Sequence, residues 1–102
     1  MKLFKKIKKI HFVGIGGPGM IGIARLLLKK GYKISGSDIT DSSELRKLRK
    51  DGARVFIGHS KENIKDANLV VVSSAIDKKN PELIYSKKNS ITVIPRAEML
   101  GS

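Results

Sequence analysis

The chain has no cysteine among its 102 residues. Disulfides, thiolate chemistry and cysteine-based metal sites are therefore excluded, and a reducing cytoplasm is the expected location. Histidine is scarce too: His11 and His59 lie far apart in sequence and lack metal-ligand spacing, so no metal site is expected. Long apolar runs are missing, and nothing in the sequence is expected to span or bind a membrane. Aromatic residues make up only 5% of the chain, too few for the basic-aromatic stacking platform of a single-strand nucleic-acid binder. Acidic residues are outnumbered, 9 against 21 Lys+Arg, for a net charge of +12. That balance raises the question of a nucleic-acid partner. The lysines, however, are scattered over every predicted helix surface, so no nucleic-acid partner is expected and the charge points at most to an anionic ligand.

The densest basic run, MKLFKKIKK, precedes the first strand, and residues 1–8 read as a solvated lead-in. A signal peptide is not expected, because the apolar stretch that follows is short, breaks at Gly14 and has no small-residue cleavage site. The remaining residues, 9–102, are enough for one core and no second one.

What the chain does have is an apolar run, Ile10 to Val13, leading straight into Gly14-Ile15-Gly16-Gly17-Pro18-Gly19-Met20 and then into an apolar segment of helical length. This is a G-x-G-x-x-G turn with a strand before it and a helix after it. Gly14 permits the tight turn out of the strand, Gly16 lets an anion approach the main chain, and Gly19 lets the helix pack close while its N-terminal N–H groups face the anion.

Further along, strands are expected at Lys9–Val13, Tyr32–Ser37, Arg54–Ile57, Leu69–Val72 and Ile91–Ile94. Helices are expected from about Pro18 to Lys30, from Asp41 (with Glu44 three residues on) to before Gly52, briefly near Glu62–Ile64, and from Asn80-Pro81-Glu82 to Lys88. Arg96 to Leu100 begins one more. Leu69-Val70-Val71-Val72 has the continuous β-branched character of a central parallel strand. The alternation predicts an α/β, Rossmann-like fold: an open parallel five-stranded sheet, order 3-2-1-4-5, with helices on both faces.

In such a sheet the ligand lies beyond the carboxyl ends of the strands, where the order reverses. Three segments reach that edge: the glycine loop, Ser37-Asp38 and Ser73-Ser74-Ala75. Together they offer N–H donors for a diphosphate, a carboxylate for ribose hydroxyls and small polar residues with room beside them. Asp38 lies 19 residues after Gly19, near the place of a ribose-binding acid; as an alternative it caps its own loop, and the serines form turns. NAD and a sugar nucleotide fit this pattern equally well. No Ser/His/acid ordering, paired acid/base carboxylates or P-loop is present, so no catalytic residue is expected.

Taken together, HFVGIGGPGM at 11–20, GSD at 36–38, GH at 58–59, VVVSSAI at 70–76, NPE at 80–82 and PRAEML at 95–100 resemble the N-terminal domain of the Mur ligases, in the branch that joins L-alanine to UDP-N-acetylmuramate. The muramyl-peptide recycling ligases look similar but typically depart from the GIGGxGM loop. The resemblance implies that Gly14, Gly16, Gly17, Pro18, Gly19 and Met20 form the diphosphate loop for UDP-N-acetylmuramate. It implies that Ser37 and Asp38 lie near the uridine and that Ser73, Ser74 and Ala75 line the opposite wall. His59 and Arg96 match recurring family positions.

The chain departs from the family at Pro18, which has no N–H to give a phosphate, and at Ile21, where small or hydroxyl residues are common. The full-length enzymes add a central ATP-binding domain and a C-terminal domain, and use ATP and Mg. Neither domain is in this sequence, so the chain alone is expected to bind rather than catalyse, with no cofactor of its own.

Overall fold

A computed structural model describes residues 7–64 and 66–96. Among these residues nine elements follow one another: β1 (Lys9–Val13), α1 (Met20–Lys29), β2 (Lys33–Asp38), α2 (Ser43–Lys50), β3 (Arg54–Ile57), a 3-10 turn (Lys61–Ile64), β4 (Leu69–Val72), α3 (Pro81–Lys88) and β5 (Thr92–Pro95). All the strand pairs are parallel, in the order β3-β2-β1-β4-β5. The expected Rossmann-like sheet is therefore present. Helices α1 and α2 pack together, while α3 packs on the 3-10 turn and β5. Right-handed crossovers to either side of β1 put these two groups on opposite faces of the sheet.

The central strands are apolar because helices cover both faces. Phe12, Val13, Leu69, Val70 and Val71 are buried, and Met20, Ala24 and Leu27 bring the inner stripe of α1 against them. Gly36 in β2 has a steric reason: a Cβ there would lie 2.7 Å from Ile15 Cβ. The glycine loop thus folds down onto β2.

The boundaries differ from expectation in places with identifiable causes. Helix α1 starts at Met20, not Pro18, because Gly19 at φ 78° is left-handed and breaks the helical run behind it. Helix α2 is capped by Ser42, whose Oγ accepts from Leu45 N–H at 3.1 Å. Asp41, expected to start that helix, instead reaches Arg49 and Arg46 at 3.4 and 3.7 Å. Asn80 caps α3 as expected, accepting from Glu82 N–H at 2.8 Å. Pro95 ends β5 from inside, as its last paired residue; with β5 at the sheet edge, the missing N–H costs no ladder bond. The expected last helix falls largely on 97–100, and most of the basic lead-in on 1–6, outside the described residues.

Candidate functional site

The glycine loop leaves β1 through Gly14 at φ 81°, a conformation that favours glycine. Gly14 and Ile15 both donate their N–H to Ser37 O, at 2.8 and 3.0 Å, tying the loop to the end of β2. Gly17 N–H closes a turn onto Gly14 O (2.9 Å), and Met20 N–H bonds Gly17 O (3.0 Å). The Gly16 N–H is taken by Asp38, whose Oδ2 accepts it at 2.8 Å. Asp38 Oδ1 meanwhile accepts from Ile39 and Thr40 N–H, at 2.8 and 3.3 Å. Asp38 is thus a clasp between the loop and the end of β2. Gly16 does not have positive φ; what it provides is space, since a Cβ there would stand 2.9 Å from Asp38 Oδ2.

Among the described residues, the N–H groups of Gly19, Ile21 and Gly22 donate to nothing outside α1. They are the orphan donors of a helix N-terminus, at its electropositive end. Arg96 lies against them: a Cβ on Gly19 would meet its Nη1 at 3.0 Å. The anion-attracting part of the loop is therefore its helix end, with Arg96 beside it.

A cleft of about 410 Å³ opens at this edge of the sheet. Of the residues expected at the site, Gly14, Gly16, Gly17, Asp38, His59, Ser73 and Ala75 line it. Pro18 and Gly19 continue the loop beyond it, and the Met20 side chain is in the core. Ser74 is exposed outside the cleft, while Ser73 is largely buried against the loop. Ser37 is fully buried, and its hydroxyl faces the interior instead of the cleft. The cleft also takes in Ile39, Ile76, Asp77 and Asn80, none of them expected as site residues from the sequence.

Beneath His59 is a buried polar cluster centred on Glu82. One oxygen, Oε1, accepts from His11 Nε2 at 2.6 Å and Ser37 Oγ at 2.7 Å. The other, Oε2, accepts from Ser60 N–H at 3.0 Å and Asn63 Nδ2 at 2.8 Å. Ser37 Oγ also meets His59 Nδ1 at 2.8 Å, and His11 Nδ1 meets Ser35 Oγ at 2.7 Å. Burial pushes the Glu82 carboxyl up, but the hydrogen bond and charge of His11, with the Ser37 and Asn63 donors, outweigh it and hold the group down at about 2. Among the described residues no buried side-chain nitrogen or oxygen lacks a partner.

The sequence pattern marks Glu82 only as part of a helix start and sets the two histidines far apart. The signal available was His11 itself, a polar ring inside an apolar central strand, which needs a buried partner. Ser35, its register partner in β2, and Ser37 two residues on mark the same face. No group of three or more His, Cys, Asp or Glu among the described residues could hold a metal ion. No helix among them is long and apolar enough to cross a membrane.

A parallel sheet with a glycine loop at its switch point defines a Rossmann-like class of domain. The sequence profile of the Mur ligase family, catalytic domain, matches residues 9–102, and the chain belongs to that family. It is 58% identical over 96 residues to a UDP-N-acetylmuramate–L-alanine ligase of Sulfurihydrogenibium sp., covering 94% of this chain and 21% of that protein. A ligase of the same name from Aquifex aeolicus is 53% identical over 99 residues, covering 97% of this chain and 22% of that protein. Among solved structures, a UDP-N-acetylmuramate-alanine ligase from Thermotoga maritima superposes with a TM-score of 0.86 at 35% identity, over 90% of this chain and 21% of that one. The chain thus spans about a fifth of the length of these relatives.

Proposed function

We infer that this chain holds the UDP end of UDP-N-acetylmuramate for a ligase that adds L-alanine during peptidoglycan synthesis. The observation that carries the reading is the arrangement at this sheet edge: a cleft lined by the glycine loop, Asp38 and His59, with the open helix N-terminal donors and Arg96 just beyond it. Relatives more than half identical in sequence bear that ligase name. The diphosphate would lie at the Gly19 end, where N–H groups are unpaired, and the ribose near Asp38. Pro18 gives no N–H, and Gly14 to Gly17 already use theirs internally, so Gly19, Ile21 and Gly22 are the donors that remain. Residue 21 contributes its backbone, which an isoleucine supplies as well as a serine.

The chain has no P-loop, so activation of the substrate by ATP and Mg, and capture of L-alanine, belong to other parts of the enzyme. The NAD reading shares the fold but gains nothing specific from the cleft. Calorimetric titration of the chain with UDP-N-acetylmuramate and with NAD, side by side, tests the choice. Saturable heat with the UDP-sugar alone is expected; heat with NAD alone would make the chain the NAD-binding domain of an oxidoreductase instead.

A further inference from the structure

We propose that His59 is a fixed hydrogen-bond acceptor toward the nucleoside end of the ligand, its proton held on Nδ1 by Ser37 and Glu82, which act as positioning residues. The acceptor role rests on the nucleotide reading above; the proton's position does not.

The hydrogens in the cluster decide the tautomer. The Glu82 carboxylate offers about four acceptor positions, and four donors fill them: His11 Nε2, Ser37 Oγ, Ser60 N–H and Asn63 Nδ2. A serine hydroxyl has one hydrogen, and the Ser37 hydrogen points to Glu82. The 2.8 Å contact between Ser37 Oγ and His59 Nδ1 then needs its hydrogen from the ring. A neutral imidazole carries a single N–H, so with Nδ1 protonated Nε2 keeps its lone pair.

The direction of Nε2 follows from the accounting. The His59 side chain is 13% exposed, with Nδ1 turned inward to Ser37. Nε2 makes no hydrogen bond to a described residue, yet no buried side-chain nitrogen there lacks a partner. Nε2 is therefore accessible, on a ring that lines the cleft beside Asp38.

A lone pair at that place has a chemical consequence. It repels a phosphate oxygen and accepts from an N–H or O–H, so this wall discriminates by repulsion as well as attraction. The nucleoside offers two such donors, a ribose hydroxyl and the imide N–H of uracil. Cytosine has a lone pair where uracil has that N–H. Glu82 and Ser37, both fully buried, thereby set which group His59 admits.

Two measurements test this. In the free chain labelled with ¹⁵N-histidine, at pH 8.5 and thus well above the ordinary histidine range of about 6.5, His59 is expected to show a protonated Nδ1 and a bare Nε2. The chain has two histidines, and the resonances lost in His59→Asn identify the ring. Glu82→Gln is expected to move the proton toward Nε2. A wild-type ring with its proton on Nε2, or a folded Glu82→Gln with the wild-type pattern, would overturn the relay.

Binding is then compared for UDP, 2′,3′-dideoxy-UDP and CDP. His59→Asn, which keeps an inward polar group but has nothing at the Nε2 position, is expected to bind UDP at least tenfold more weakly. His59→Gln, whose amide reaches that position, is expected to recover part of the loss. In wild type the dideoxy ligand is penalised if ribose is the donor, and CDP if the base is; in His59→Asn that penalty disappears. UDP bound equally by His59→Asn and wild type, or all three ligands bound alike by wild type, would overturn the acceptor role while leaving the nucleotide reading intact. Failure of the wild-type chain to bind any of the three would remove both.

Discussion

The glycine-loop cleft and the Glu82 cluster lie within one side chain of each other, joined through His59, yet they treat polar groups in opposite ways. In the cluster every donor has an acceptor, and both carboxylate oxygens are filled from inside the chain. In the cleft the loop uses some N–H groups to hold its own shape and leaves those at the start of α1 open. A saturated cluster rigidifies, because each group there would be costly to strand. An unsaturated edge can exchange water for a ligand. Polarity at this end of the sheet therefore divides into a saturated supporting layer and an open one, and Glu82 belongs to the first.

The comparison breaks most sharply at Glu82. Glu82→Ala would leave His11, Ser37, Ser60 and Asn63 without their shared acceptor in a buried place. Removing one partner of a buried pair costs roughly 3–5 kcal/mol, a large part of the stability of a domain of this size. Urea denaturation followed by circular dichroism checks this; a midpoint near that of wild type would show that water replaces the carboxylate easily.

The same cluster predicts an acid limit. Glu82 in the folded chain titrates at about 2, below its ordinary 4.5. Its contribution is therefore fully present above about 4.5 and is lost as pH falls from there through about 2. Thermal melts between pH 6 and 2 should show stability falling through that window. In Glu82→Gln, from a lower starting point, the decline should be shallower, and an unchanged slope would relocate the acid sensitivity to other carboxylates.

Within the cleft, Gly16→Val should spare the sheet and eliminate ligand binding. The added Cβ would meet Asp38 Oδ2 at 2.9 Å and force the clasp apart. The expected result is a native-like spectrum and no rise in melting temperature on adding UDP-N-acetylmuramate. Wild type should gain about 2.7 kcal/mol at a hundredfold excess over Kd. A full rise in the variant would place the ligand away from the loop.

Asp38→Ala should have a smaller effect, divided between the two roles. A hydrogen bond from ribose to a charged group is worth roughly 1.5–3 kcal/mol, hence a loss of affinity of about tenfold to hundredfold. A modest drop in melting temperature should accompany it, because the N–H groups of Gly16, Ile39 and Thr40 lose their acceptor. A drop in stability with unchanged affinity would make Asp38 a clasp only.

Strand order, the buried character of β4 and the segments that reach the cleft were legible in the sequence because each depends on a local pattern: period, glycine spacing, β-branching. The start of α1 was misplaced because Pro18 suits a first turn and nothing local says that Gly19 turns left-handed. The resemblance implies Ser37 near the uridine, but successive residues of a strand face opposite ways. Its side chain points to Glu82, 45 residues away. The Glu82 cluster was hidden for the same reason, since it joins β1, β2, the 3-10 turn and α3, and no single window of sequence contains it.

Entry of ligand at the unsaturated edge, above a saturated support, is tested by mapping backbone amide shifts in ¹⁵N-labelled chain as UDP-N-acetylmuramate is added. The largest changes are expected at Gly14 to Gly22, Asp38, His59 and Ser73 to Ala75, with small ones around Ser35 and Asn63. At the opposite edge of the sheet, Lys9, Lys33 and Arg54 line a second cleft of about 250 Å³. Shifts concentrated there, with the glycine loop silent, would contradict the account.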